Sequence, residues 1–298
     1  MVRLTDSTVD PCFNLLENIE CREGGMKSSD PYAVTDSLDD SLLQVIVTRL
    51  ETRGRHPAFE KMLMDYLNAM SIDTATTVLD MGCGTGVAAR AIARRRDFSG
   101  RVLGIDLSPT LAQTAARLAA DEGLRDRVEF RAGDSRRLDL GDGVFDAVVA
   151  HTLLSHVDDP LAVVREAARL VRPGGMIGIF DGDYASMTFG HADPAKGKVY
   201  DEAIISGVVT SPRVMRQMPR LLQAAGLQLI TSFSYVLAEV GKSDFWAPAI
   251  ESFRRLVPKS GIMTEQEADA WAEGLRLDSV AGVFFGASNY YGYVARRP

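Results

Sequence analysis

The residues able to do chemistry sit at the ends of short apolar runs. Leu79-Asp80-Met81-Gly82-Cys83-Gly84-Thr85-Gly86 places three glycines at alternate positions after one such run. Glycine tolerates torsions closed to other residues and lets a ligand approach the main chain. The spacing is GxGxG, and no GK[ST] follows. A nucleotide triphosphate is therefore disfavoured and a dinucleotide reading weakened. Asp106 lies twenty residues beyond Gly86, at the end of the next apolar run. There a carboxylate can accept hydrogen bonds from both hydroxyls of a ribose. Each feature alone has a bland alternative, a tight structural turn or a helix-capping Asp. In register with strands, together they predict a cofactor cleft.

A second group could move protons or hold a substrate. His151 and His156 flank the segment HTLLSH, and a near-neutral imidazole can take a proton from a phenol, an enol or an amine. Packing or capping is the competing role for His156. Their separation of five does not suit a metal pair on one helix face, so no metal is expected. Asp181 and Asp183 follow in FDGDYASMTFG, where Asp183 or Tyr184 could bind a cationic or hydroxylic acceptor. Asp-Gly turn formation competes with that role. His191 and the pair Arg213 and Arg216 are further candidates, and a solvated helix is the alternative for the arginines. Of the large apolar residues Phe245, Trp246, Phe253, Met263 and Trp271, with Tyr290 and Tyr291, most belong to a core. One or two could line a mostly apolar acceptor pocket.

These residues need a scaffold, and the chain supplies its pattern. SLDDSLLQVIVTRLETRG and PAFEKMLMDYLNAM read as two helices. From TTVLDMG onward, strands and helices alternate through RVLGIDLS, RVEFRAGD, FDAVVAHTLL and MIGIFDGD. Ser108 and an Asp before Pro160 read as helix caps, and Gly174-Gly175 closes the helix that follows Pro160. This rhythm predicts a parallel sheet with helices on both faces. After Asp183 it breaks into a polar stretch reaching about residue 198. Helical segments near 199–208 and 211–225, a strand LQLITSFSYVLAEV, helices near 243–258 and 264–278, and a last strand FFGASNYYGYVARRP complete the reading. The extra helices are expected over the carboxyl edge of the sheet.

VLDMGCGTG, GIDLS, EFRAGDSRRLDL, FDAVVAHTLLSHVDD and RLVRPGGMIGIFD, in that order, resemble the class I S-adenosylmethionine-dependent methyltransferases, in the UbiE-like small-molecule branch. The resemblance covers about residues 75–182 and the final strand. It implies a Rossmann-like, seven-stranded, mostly parallel sheet of order 3-2-1-4-5-7-6, with strand seven antiparallel. It further implies that Gly82, Cys83 and Gly84, with Gly86 closing the turn, face the methionine part of the cofactor. By the same resemblance Asp80 orients the amino group, Asp106 takes the ribose hydroxyls and Leu107 packs on adenine. Asp134 accepts from the adenine amino group with Ser135 beside it, and His151 lies near the methionine end. Arg53 is the candidate for the cofactor carboxylate and Arg55 the reserve; Tyr32 could close over the same end. The catalytic candidates are His156, His151 and Asp183. The acceptor-binding candidates are Tyr184, His191, Arg213 and Tyr290.

Composition bounds the partners. Apolar residues make up 46% and charged residues 24%, ordinary for a globular chain. The net charge of −7 shows no basic stripe, which lowers the prior for a nucleic acid. Three cysteines without a CxxC pair fit a reducing cytoplasm. No run reaches membrane-spanning length, and the first 25 residues lack the basic start and apolar core of a signal peptide. The expected divisions are a loose tail over 1–30, helices over 31–72, and the Rossmann-like domain over 73–298. Helical lids are expected at about 184–225 and 243–280. The expected activity is methylation of a small, apolar or aromatic molecule at O, N or C, in secondary or quinone-type metabolism. A homodimer is compatible with the reading. A cyclase or pericyclase that retains the cofactor is the alternative; a non-catalytic scaffold and an NAD redox enzyme rank below it.

Overall fold

The computed structural model describes residues 30–298. The tail expected over 1–30 thus lies, except for Asp30, outside the described residues. Helices α1 (Asp40–Gly54) and α2 (Pro57–Ala69) come first. Their caps are the side chains of Asp39 and His56, which accept from the N–H groups of Leu42 and Ala58. Then follow β1 (Thr77–Met81), α3 (Val87–Ala93), β2 (Arg101–Asp106), α4 (Pro109–Asp121), β3 (Val128–Ala132), β4 (Phe145–His151), α5 (Pro160–Leu170) and β5 (Val171–Phe189). The chain ends with α6 (Pro194–Val208), α7 (Val214–Ala224), β6 (Gln228–Gly241), α8 (Trp246–Leu256), α9 (Glu265–Ala281) and β7 (Phe284–Arg296).

The seven strands form one sheet in the order β3-β2-β1-β4-β5-β7-β6. The first five pair in parallel, and β7 runs antiparallel to both neighbours. This is the order the resemblance implied. Central strands of such a sheet are covered on both faces and read as unbroken apolar runs. In β1, Val78, Leu79 and Met81 are fully buried. One face packs on Phe59, Tyr66 and Leu67 of α2 and Ile92 of α3. The other packs on Val163 and Leu170 of α5 and Met215, Met218 and Leu222 of α7. Each large side chain buried this way stabilises the fold by about 1.5–3 kcal/mol.

Three local expectations change. Strand β5 does not stop at Asp183: after a register break it resumes, with Thr188 opposite Ala287 and Phe189 opposite Gly286. The expected polar stretch is therefore partly strand. Helix α5 ends at Leu170, because Val171 already pairs with Phe145. Gly174 instead makes a turn at φ +78°, its N–H donating to the Arg297 carbonyl at 2.8 Å. Finally, α7 is not over the carboxyl edge; it lies on the sheet face beside α5. Helices α6, α8 and α9 gather at the far end of β5, where Phe189 meets Trp246 and Trp271 edge-on at 5.3 and 5.5 Å. Those two tryptophans are core.

Candidate active site

The glycine turn between β1 and α3 is built by its torsions. Gly82, Gly84 and Gly86 all have positive φ, a region that L side chains rarely enter. A Cβ on Gly82 would also come within 2.4 Å of Leu153 Cδ1. Cys83 N–H donates to the Ile105 carbonyl at 2.9 Å, tying the turn to β2. Asp106, at the end of β2, accepts from Gly84 N–H at 2.7 Å and Ser108 N–H at 3.0 Å. One carboxylate thus joins the glycine turn to the start of α4, and each oxygen keeps a lone pair for a ligand.

A cleft opens above these loops. Its inner part is lined by Asp80, Cys83, Thr85, Arg53, His151 and Thr152. Its outer part, a cavity of about 220 Å³, is lined by Leu107, Asp134, Ser135 and Arg136. Tyr32, Gly82, Asp106, Leu153 and His156 border both. All of the expected cofactor residues but Gly86 are therefore gathered along one groove; Gly86 lies against Phe130 and Ala115 instead. Leu107 is 56% exposed in that groove, available for a flat ring. Arg136, which the sequence reading passed over, clamps Asp134 through its guanidinium at 2.8–3.1 Å. That clamp holds the Asp134 carboxyl below its ordinary range.

At the inner end, charge is distributed unevenly. Asp80 is buried; one oxygen accepts from Ala89 N–H at 3.0 Å and the other has no partner. Burial, reinforced by the nearby Asp106 charge, pushes its pKa up to about 7 against the Ala89 hydrogen bond. Opposite, Arg53 donates to Thr152 Oγ1 at 2.7 Å and stacks over Phe59. The reserve, Arg55, is instead a surface residue 3.5 Å from Glu51. Thr152 carries φ +57°, an outlier for a β-branched residue. Strain of this kind persists only where surrounding contacts enforce it; here Thr152 N–H donates to the Phe180 carbonyl at 2.7 Å.

The two histidines diverge. His151 is stacked on Phe180 at 4.9 Å, with Nδ1 3.1 Å from the Tyr66 hydroxyl. Burial, aided by the Arg53 charge, drops its pKa to about 3. An imidazole that far below neutrality is a weak base, so its expected catalytic role gives way to one of shape and hydrogen bonding. His156 Nδ1 donates to Asp30 Oδ2 at 2.9 Å. Burial alone would lower its pKa, but the charge and hydrogen bond of Asp30 outweigh it and the net shift is upward. Asp30 also accepts from the N–H and hydroxyl of Thr210, both at 3.1 Å. Tyr32 lies against the imidazole at 4.7 Å, and Asp36 accepts from Ser108 Oγ at 2.6 Å. Asp30 escaped the sequence reading because it falls at the edge of a polar stretch without periodicity.

Of the remaining candidates, Tyr184 stands edge-on to His156 at 6.1 Å, and Tyr290 packs between Phe59 and Phe180. Three sit elsewhere. Asp183 is held by Arg216 through three contacts of 2.9–3.0 Å, so its charge is already compensated away from the groove. His191 is exposed and caps Asp193 N–H at 2.9 Å. Arg213 is exposed at the start of α7. Asp181 accepts from Ser155 N–H, Ser155 Oγ and Gly182 N–H, and so fixes the turn that carries His156.

Comparison with known proteins agrees with this geometry. A methyltransferase domain model matches residues 79–179. The methyltransferase GfsG of Streptomyces halstedii is 31% identical over 218 residues, spanning 72% of this chain and 75% of that protein. A ubiquinone biosynthesis O-methyltransferase of Xanthomonas campestris is 35% identical over 121 residues, 40% of this chain and 48% of its own. Among solved structures, the [4+2]-cyclase SpnF superposes with a TM-score of 0.52 at 22% identity, over 82% of this chain and 85% of its own.

Proposed function

Because the chain belongs to the class I S-adenosylmethionine-dependent methyltransferases, we propose that its groove holds that cofactor with Asp80 and Arg53 reading the two charges of its amino-acid end. The observation that carries this is the pairing itself. An unpartnered buried carboxylate oxygen and a buried guanidinium line one cavity beside the glycine turn. A zwitterion supplies the ammonium for the first and the carboxylate for the second. In this reading Asp106 takes the ribose hydroxyls, and Leu107, Asp134 and Ser135 meet the adenine.

When bound, the cofactor supplies an electrophilic methyl group. The chain's own task is to hold the acceptor atom in line with that group and to take a proton where the acceptor has one to lose. His156 suits the second task. Asp30 fixes Nδ1–H, which leaves Nε2 as the basic nitrogen. Tyr184 and Tyr290 stand on the acceptor side. The aromatic surroundings favour a small, apolar or aromatic acceptor, and the ubiquinone biosynthesis relative points to oxygen as the atom methylated. The net charge of −7 favours no nucleic-acid partner. No helix of the described residues is long and apolar enough to cross a membrane. A cytoplasmic enzyme, monomeric or homodimeric, fits these features.

The test is release of S-adenosylhomocysteine during conversion of a phenol, enol or amine acceptor. Stoichiometric release is expected. Conversion without release would favour the cyclase alternative, for which the SpnF fold is the supporting observation.

A further inference from the structure

The first helix turns two guanidiniums inward. Arg49 and Arg53 are four residues apart on α1, so they share one face. They are 7% and 9% exposed, and neither forms an ion pair with an acid among the described residues. Arg53 lines the cofactor groove and donates to Thr152. Arg49 does not line that groove. Its guanidinium lies 5.1 Å from the Phe245 ring centre, and Nη1 is buried with no hydrogen-bond partner. Burial, and then the like charge of Arg53, work against its protonated form.

A guanidinium stays protonated under physiological conditions, so burial cannot be relieved by losing the proton. A buried charge without a partner is unfavourable unless a counter-ion arrives. The cofactor brings one carboxylate, and Arg53 is the residue placed to take it. Arg49 is left over, one helical turn away, stacked on Phe245. We propose that the methyl acceptor is an acid, a small molecule whose carboxylate pairs with Arg49 while its apolar body lies against Phe245. This rests on the methyltransferase reading above and names the acceptor's class.

The experiment uses protein saturated with S-adenosylhomocysteine. Calorimetry compares 4-hydroxybenzoate and 4-hydroxycinnamate with their methyl esters, on wild type, Arg49→Met and Arg49→Lys. At least one acid is expected to bind wild type tenfold or more tightly than its ester. Arg49→Met should abolish that preference and Arg49→Lys retain part of it. Affinity for S-adenosylhomocysteine should stay within twofold in both variants. The melting temperature of ligand-free Arg49→Met should rise, because an unpaired buried charge is gone. Equal behaviour of acids and esters, including failure of both at millimolar concentration, overturns the proposal. So does a tenfold loss of S-adenosylhomocysteine affinity in Arg49→Met, which would assign Arg49 to the cofactor. A lower melting temperature would make Arg49 a structural stack on Phe245 and also overturn it. Wild type failing to bind S-adenosylhomocysteine would instead remove the methyltransferase reading itself.

Discussion

The proposed cofactor end of the groove and the proposed acceptor side beside it are assembled in different ways. At the proposed cofactor end, all but Arg53 of α1 and Tyr32 sit at or just past the end of a strand: Asp80 and the glycines at β1, Asp106 at β2, Asp134 just past β3, His151 at β4. Main-chain hydrogen bonds set their positions, as where Gly84 and Ser108 N–H both meet Asp106. At the acceptor end, side chains arrive from far apart in the chain. Arg49 comes from α1, Tyr184 from β5, Phe245 from just before α8 and Tyr290 from β7. Their geometry depends on packing and on a few long-range bonds such as Asp30 to His156. A strand end fixes a site by backbone register and tolerates drift in the surrounding sequence. A side-chain assembly can be rebuilt residue by residue, which suits an enzyme whose donor is fixed and whose acceptor varies.

The contrast can be broken by mutation. The largest effect is expected at the acceptor end: His156→Ala should lower turnover by about 10²–10⁴-fold. Its affinity for S-adenosylhomocysteine, measured by calorimetry, should change far less. If both fall together, the two ends are not separable at this residue. Next, Asp106→Ala should weaken S-adenosylhomocysteine binding by roughly 1–3 kcal/mol, since a charged acceptor of several hydrogen bonds is lost. Unchanged affinity would contradict the ribose assignment.

The smallest effect is a pH dependence. Asp80 has its pKa near 7 in the free protein, and a neighbouring ammonium favours its ionised form. Affinity for S-adenosylhomocysteine should be flat above about pH 8 and fall toward tenfold per unit below 7. Asp80→Asn should bind more weakly and lose the slope. In the free protein the sign is opposite: a raised carboxyl pKa costs stability as pH climbs from about 4 through 7. Asp80→Asn should therefore melt higher than wild type at pH 8 and not at pH 4. A slope that survives in Asp80→Asn would point to another group.

The same contrast explains what could be read from the residues alone. The glycine turn, Asp106 and the alternation of strands and helices that makes a parallel sheet are legible because each is a local pattern in a short window; the order of the strands came with the resemblance. The antiparallel β7 came only with the resemblance, since Phe284–Arg296 alternates like any strand. Strand β5 was cut short because a register break interrupts its pairing after Asp183. Asp183 reads from the sequence as a candidate site residue because its partner, Arg216, lies 33 residues on and meets it only through tertiary structure. Helix α7 was placed over the sheet edge although Val214, Met215, Met218 and Leu222 form an apolar stripe suited to a sheet face. Arg49 and Asp30 were passed over because nothing beside them in sequence reveals their burial.

The segment from Asp30 to Asp36 is fastened at both ends, to His156 and Thr210 at one and to Ser108 at the other. Tyr32 borders both halves of the groove between those fastenings. Moving Tyr32 off the groove would therefore mean breaking the bonds of Asp30 or of Asp36. The bond of Asp30 that helps hold this strap is also the one that raises the His156 pKa, so the position of Tyr32 and the charge on that imidazole are tied to one carboxylate.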